Sequence, residues 1–177
     1  MFISEYYISF ELRLPWSYLG NRPFLRLYFF FGQTYMYMKD WNKAREVFEN
    51  IIWMNPTDNQ GARWELIKVY FELKKFESIT KLCELYKDEF SALMSVNCIL
   101  ALLKLKRYKK AERLIKDVVK HHAITLEYIL EGKADELDFE PEYFIPFGRS
   151  EGYFYFRDFY EYWDQDSIKF LKKFEGI

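Results

Sequence analysis

Two cysteines, two histidines, five prolines and seven glycines are all that the 177 residues hold of the types that cross-link, ligate or interrupt a chain. Two cysteines build neither a disulfide framework nor a metal set. Cys83 and Cys98 fall on apolar stripes and read as reduced core thiols. His121-His122 has no Cys, Asp or His at ligand spacing, so it reads as a solvated helix end, not a metal or acid-base pair. The sequence has no glycine-rich phosphate loop, nucleophile elbow or zinc motif. The expectation is a non-enzymatic protein with no cofactor, no metal and no catalytic residues. Charge of one sign is also missing, since the formal net charge is -1. The most apolar run, residues 24–38, is broken by Arg26 and Gln33 and is too short to span a bilayer. Glu5 and Glu11 near the start, without a basic cluster, argue against a signal peptide. A soluble, cytoplasmic protein is expected.

Aromatics, by contrast, are abundant: Phe 18, Tyr 15 and Trp 5, or 21% of the chain. That exceeds ordinary core filling, so some rings are expected on a contact surface. Three stretches carry one pattern. The apolar positions run Trp41, Ala44, Val47, Phe48, Ile51, Ile52, then Phe76, Ile79, Leu82, Cys83, Tyr86, then Tyr108, Ala111, Leu114, Ile115, Val118, Val119. Each is an aromatic followed by one stripe of a 3.6-residue helix. The copies start 35 and 32 residues apart, the interval of a helix-turn-helix repeat.

The punctuation predicts helices over about 23–39, 41–54, 58–74, 76–87, 91–106 and 108–121. Pro23 opens the first, Asp40 and Asp58 cap the second and third, and Asn55-Pro56 stops the second. Beyond His122 a short helix over 126–130, an acidic aromatic connector over 132–147 and two helices over about 150–163 and 165–174 are expected, the last two capping the stack. Residues 1–20 form an aromatic arm of undefined structure, and its Phe2, Tyr6, Tyr7, Phe10 and Trp16 make it a candidate homodimer contact.

The repeats resemble the tetratricopeptide family. Tyr28, Phe31, Gly32, Tyr35, Trp41, Ala44, Phe48 and Pro56 stand at that family's positions in the first copy. Arg22-Pro23-Phe24-Leu25-Arg26 and Asn55-Pro56-Thr57-Asp58-Asn59-Gln60-Gly61-Ala62-Arg63 resemble the "RPYxR…NPNDNQGxR" signature of a bacterial group within it. Tyr128-Ile129-Leu130, Phe147-Gly148-Arg149-Ser150-Glu151 and Trp163 resemble that group's ending, which also occurs in the animal suppressor-of-tumorigenicity proteins. The chain departs from that ending at Ile124-Thr125-Leu126-Glu127, where the group has His-Val-Pro. The resemblance implies an all-α, right-handed superhelical stack of three repeats (about 25–58, 59–91 and 92–122) with C-terminal capping helices over 123–177. It implies an interaction module and no reaction.

In that family the first helix of each pair lines a concave groove. The matching positions are Phe29, Gln33, Met36 and Tyr37, then Trp64, Lys68 and Phe71, then Val96, Leu100 and Leu103. One reading is an aromatic groove for a partner peptide or helix, making the chain a protein–protein scaffold. The other is that the chain's own aromatic tail, 139–159, fills the groove, since an open face this apolar invites aggregation. Asp58-Asn59-Gln60-Gly61 reads as a helix-capping turn more than a ligand contact. The alternative function is nucleic-acid association. Residues 101–122 hold eight Lys/Arg against Glu112 and Asp117, giving a basic helix over 104–120. Residues 127–166 hold twelve Asp/Glu against three Lys/Arg, and mutual neutralisation of the two segments is the competing account.

Overall fold

A computed structural model describes residues 13–134 and 146–174. Their regular secondary structure is all helical, with no strand among them. No helix among them is long and apolar enough to cross a membrane. The chain divides into two compact units, Met1–Lys75 and Phe76–Ile177. The division falls inside the expected second repeat, at the turn before Phe76. Of the proposed arm, residues 1–12 lie outside the described residues, as do 135–145 of the acidic connector.

The first unit contains α1 (Arg22–Tyr37), α2 (Trp41–Met54) and α3 (Ala62–Glu72), preceded by a 3₁₀ turn at Leu19–Asn21. Helix α2 packs on both α1 and α3. Its stripe is the core: Ala44, Val47, Phe48, Ile51 and Ile52 are all buried. Gly32 lets α1 approach α2 closely, because a Cβ there would lie 2.5 Å from Phe48 Cζ. Trp16, exposed in the expectation, is half-buried with Arg22 and Arg26 over its ring at 5.0 and 5.5 Å.

Asp40 caps α2 as expected, accepting from Lys43 N at 3.3 Å. The third helix starts at Ala62, later than the sequence suggests, because Asp58 (φ 44) and Gly61 (φ 79) are both left-handed. Asp58 still caps it. Its carboxylate accepts from Ala62 N at 2.8 Å and Arg63 N at 2.9 Å, and the Arg63 guanidinium reaches it at 2.9 Å. Burial raises the Asp58 carboxyl above its ordinary range despite those donors.

The second unit contains α4 (Phe76–Leu85), α5 (Ala92–Lys104), α6 (Tyr108–Glu131), α7 (Arg149–Phe159) and α8 (Gln165–Leu171), with a 3₁₀ turn at Tyr160–Tyr162. Helix α5 is its centre, touching α4, α6, α7 and α8. Helix α6 does not end at His121. It kinks at His122 (φ −124, ψ 33) and continues to Glu131, absorbing the separate short helix expected over 126–130. Gly152 brings α7 against this second half, since a Cβ there would sit 3.3 Å from both Ile124 and Tyr128.

One turn occurs three times. Lys39, Lys74 and Lys106 adopt left-handed φ of 57, 53 and 57°. The amides of these residues bond to Met36, Phe71 and Leu103, and the next amides to Tyr35, Tyr70 and Leu102, all at 2.8–2.9 Å. This is a Schellman closure of α1, α3 and α5. The following helix starts two residues after each lysine, at Trp41, Phe76 and Tyr108. The sequence interval is thus the interval of one repeated backbone turn.

Candidate functional site

The residues expected in a concave groove have divided fates. In the first unit Phe29 is half-buried, edge-on to Phe48 at 5.5 Å, and Met36 and Lys68 are half-buried. Gln33 donates to Glu65 Oε1 at 2.9 Å. Tyr37 is 90% exposed and Trp64 38%, whereas Phe71 belongs to the core. In the second unit Val96, Leu100 and Leu103 are buried and not available to a partner. The cause is the chain's own C-terminal part: α7 and α8 both lie on α5. Tyr155 reaches Asn97 at 2.9 Å, and Lys104 pairs with Asp164 at 2.6 Å. On this helix the filled-face reading describes what is found.

The open concavity of the second unit lies elsewhere. A cleft of about 580 Å³ runs between α4, α5 and α6. Each helix contributes one stripe: Thr80, Cys83 and Glu84 from α4; Met94, Cys98 and Leu102 from α5; Lys110, Leu114, Val118 and His121 from α6. The floor is apolar, and the rim carries Lys87, Lys110, Glu84 and Asp117. Its volume suits a few apolar anchor side chains, the scale on which a docked segment is gripped.

Cys83 and Cys98 are half-buried in this cleft, not core thiols. Their mutual hydrogen bond, reinforced by burial, pushes the Cys83 thiol far above its usual range. A neutral thiol is neither a nucleophile nor a ready metal ligand. Among the described residues no group of three or more His, Cys, Asp or Glu could hold a metal.

His122 closes one end of the cleft, and it is not the solvated residue expected from the sequence. It is buried, with Nε2 2.6 Å from Phe90 O and Nδ1 3.2 Å from Glu151 Oε2. The kink turns the ring inward, while His121 stays exposed. Nε2 is engaged by the Phe90 carbonyl, whereas Nδ1 makes no hydrogen bond and faces the Glu151 carboxylate at ion-pair distance. Glu151 also accepts from Ala92 N at 2.8 Å and Phe147 N at 2.7 Å. Burial pushes its carboxyl upward, but His122 and these two amides prevail and hold it below the ordinary range. The dyad therefore ties the start of α5, the kink of α6 and the start of α7 together. The Phe147-Gly148-Arg149-Ser150-Glu151 segment was the only signal of it in the sequence.

The basic residues of α6 form an ordered face. Lys109, Arg113, Lys116 and Lys120 recur at i, i+4, i+7 and i+11, opposite the buried Ala111, Ile115 and Val118, and all four are exposed. Lys116 and Lys120 lie 3.8 and 3.5 Å from Glu112 and Asp117. Compared with known proteins, the chain matches no family model, no curated protein and no solved structure.

Proposed function

We propose that the chain is a non-enzymatic interaction module, a tetratricopeptide-like scaffold that binds a partner peptide or helix. The observation that carries this reading is the α4–α6 cleft: an open, apolar-floored groove whose one buried charged pair, His122 and Glu151, is turned to the protein itself. The threefold Schellman turn supports a recurring helix-turn-helix unit. In the first unit, Tyr37 and Trp64 are exposed aromatics available for further contacts.

Affinity capture from the native cell, with wild-type, Leu114→Glu and Tyr37→Ala/Trp64→Ala baits, tests the reading. Partners lost with Leu114→Glu and kept with the double alanine variant place binding in the cleft. The same partner list for all three baits removes both surfaces.

The basic stripe of α6 favours a second reading, association with nucleic acid through phosphate contacts. Such binding falls steeply with salt. A gel shift at low salt that is abolished by Lys109→Glu/Arg113→Glu supports it, and no shift at low salt ends it.

A further inference from the structure

The face of α1 turned away from α2 is apolar but for Thr34. Phe24, Leu27, Phe31, Thr34 and Met38 follow one another at intervals of three, four, three and four residues. That is the seam of a helix that pairs with another helix. Its four apolar members are 49, 57, 50 and 65% exposed, and Phe30 and Tyr37 flank them at 62 and 90%. The one polar residue in the seam, Thr34, already donates its hydroxyl to Phe30 O at 2.8 Å. It can be covered without orphaning a donor.

We infer that this seam is a self-association surface, and that its occupant is α1 of a second copy of the chain, packed antiparallel about a two-fold axis near Phe31. The exposed apolar surface is on the order of 700 Å² per copy, taking roughly 200 Å² for each full side chain. Covering the seam and both flanking residues in two copies buries up to about 1,400 Å², on the order of the 1,200–2,000 Å² of stable interfaces. The helix dipoles set the direction: antiparallel packing brings the positive end of each α1 to the negative end of its partner, whereas parallel packing would set like ends together. A stripe centred on its own midpoint is also self-complementary, as an isologous contact demands.

Sedimentation velocity on the full chain across a range of concentrations tests this. The expected mass is that of two chains, falling to one for Leu27→Glu/Phe31→Glu with unchanged helical circular dichroism. In a Cys83→Ser/Cys98→Ser background, Phe31→Cys should cross-link to itself on oxidation. Phe24→Cys should not, but should cross-link when Met38→Cys is also present. A single-chain mass for the wild type overturns the proposal. A two-chain mass that survives Leu27→Glu/Phe31→Glu overturns it in favour of another surface, and self-linking of Phe24→Cys overturns the antiparallel arrangement.

Discussion

Tyr155 donates its hydroxyl proton to Asn97 Oδ1 at 2.9 Å while accepting from Trp163 Nε1 at 3.1 Å. Asn97 Nδ2 completes the chain by donating to Leu93 O at 2.9 Å. A buried relay of this kind joins α5 to α7 and to the segment before α8, with every polar atom partnered. Tyr155→Phe keeps the ring and leaves Asn97 Oδ1 and Trp163 Nε1 without partners. We expect a loss of about 2–3 kcal/mol, measured by urea unfolding. A loss no larger than that of an exposed Tyr→Phe, such as Tyr37→Phe, would show that the relay is not a support of the second unit.

The Glu151 and Asp164 carboxyls are both held below their ordinary values, Asp164 at about 2. In Asp164, desolvation is outweighed by the Lys104 ammonium and the Ser167 donors. The folded state therefore binds these protons less readily than the unfolded chain. The stability they contribute is complete above the unfolded carboxylate range and is lost as pH falls through the folded values. Acid titration of wild type should show this loss. Glu151→Gln should cost about 2 kcal/mol at neutral pH and flatten the acid limb of the curve. An unchanged limb would separate Glu151 from the acid transition.

Gly32→Ala pushes a methyl group to within 2.5 Å of the fully buried Phe48 ring. Thermal or urea unfolding should reveal a loss of about 1–3 kcal/mol. Phe48→Leu in the same chain should recover part of it, a coupling that a double-mutant cycle reads directly.

Lys39, Lys74 and Lys106 each hold a side-chain-bearing residue in the left-handed region. Replacing any one with Gly should raise stability by about 1 kcal/mol, while Ala at the same position gives no such gain. Equal responses to Gly and Ala would mean that the turns carry no strain.

Cys83 lines an open cleft, yet its thiol is held neutral by Cys98 and burial. Alkylation of the native protein near pH 8 should therefore be much slower than that of the urea-unfolded chain. Comparable rates would contradict the pairing.

Much of the helical architecture is legible in the sequence because its causes are local. Asp40 caps an amide three residues away, Pro23 stands in the first turn of its own helix, and the stripes from Ala44 to Ile52 and from Ala111 to Val118 follow one helix's own period. The three-lysine turn was hidden because a left-handed closure is ordinarily marked by glycine or asparagine, and neither stands there. His122 was misread for a different reason: Glu151 and Phe90, which bury it, lie 29 and 32 residues away in sequence. The cleft likewise comes from three helices leaving space between them, which no single stripe encodes. The family resemblance put Val96, Leu100 and Leu103 on a groove-lining face, but only the packing of α7 and α8 on α5 settles that this helix is enclosed.

The three lysine turns also fix where the array can be cut and rejoined. On either side of Lys39, Lys74 and Lys106 the backbone arrives and leaves in the same conformation, although the intervals between them are 35 and 32 residues. A segment duplicated from one such turn to the next would rejoin like to like, whichever interval was copied. Recombination at these points needs no new closing geometry for the helix that ends there.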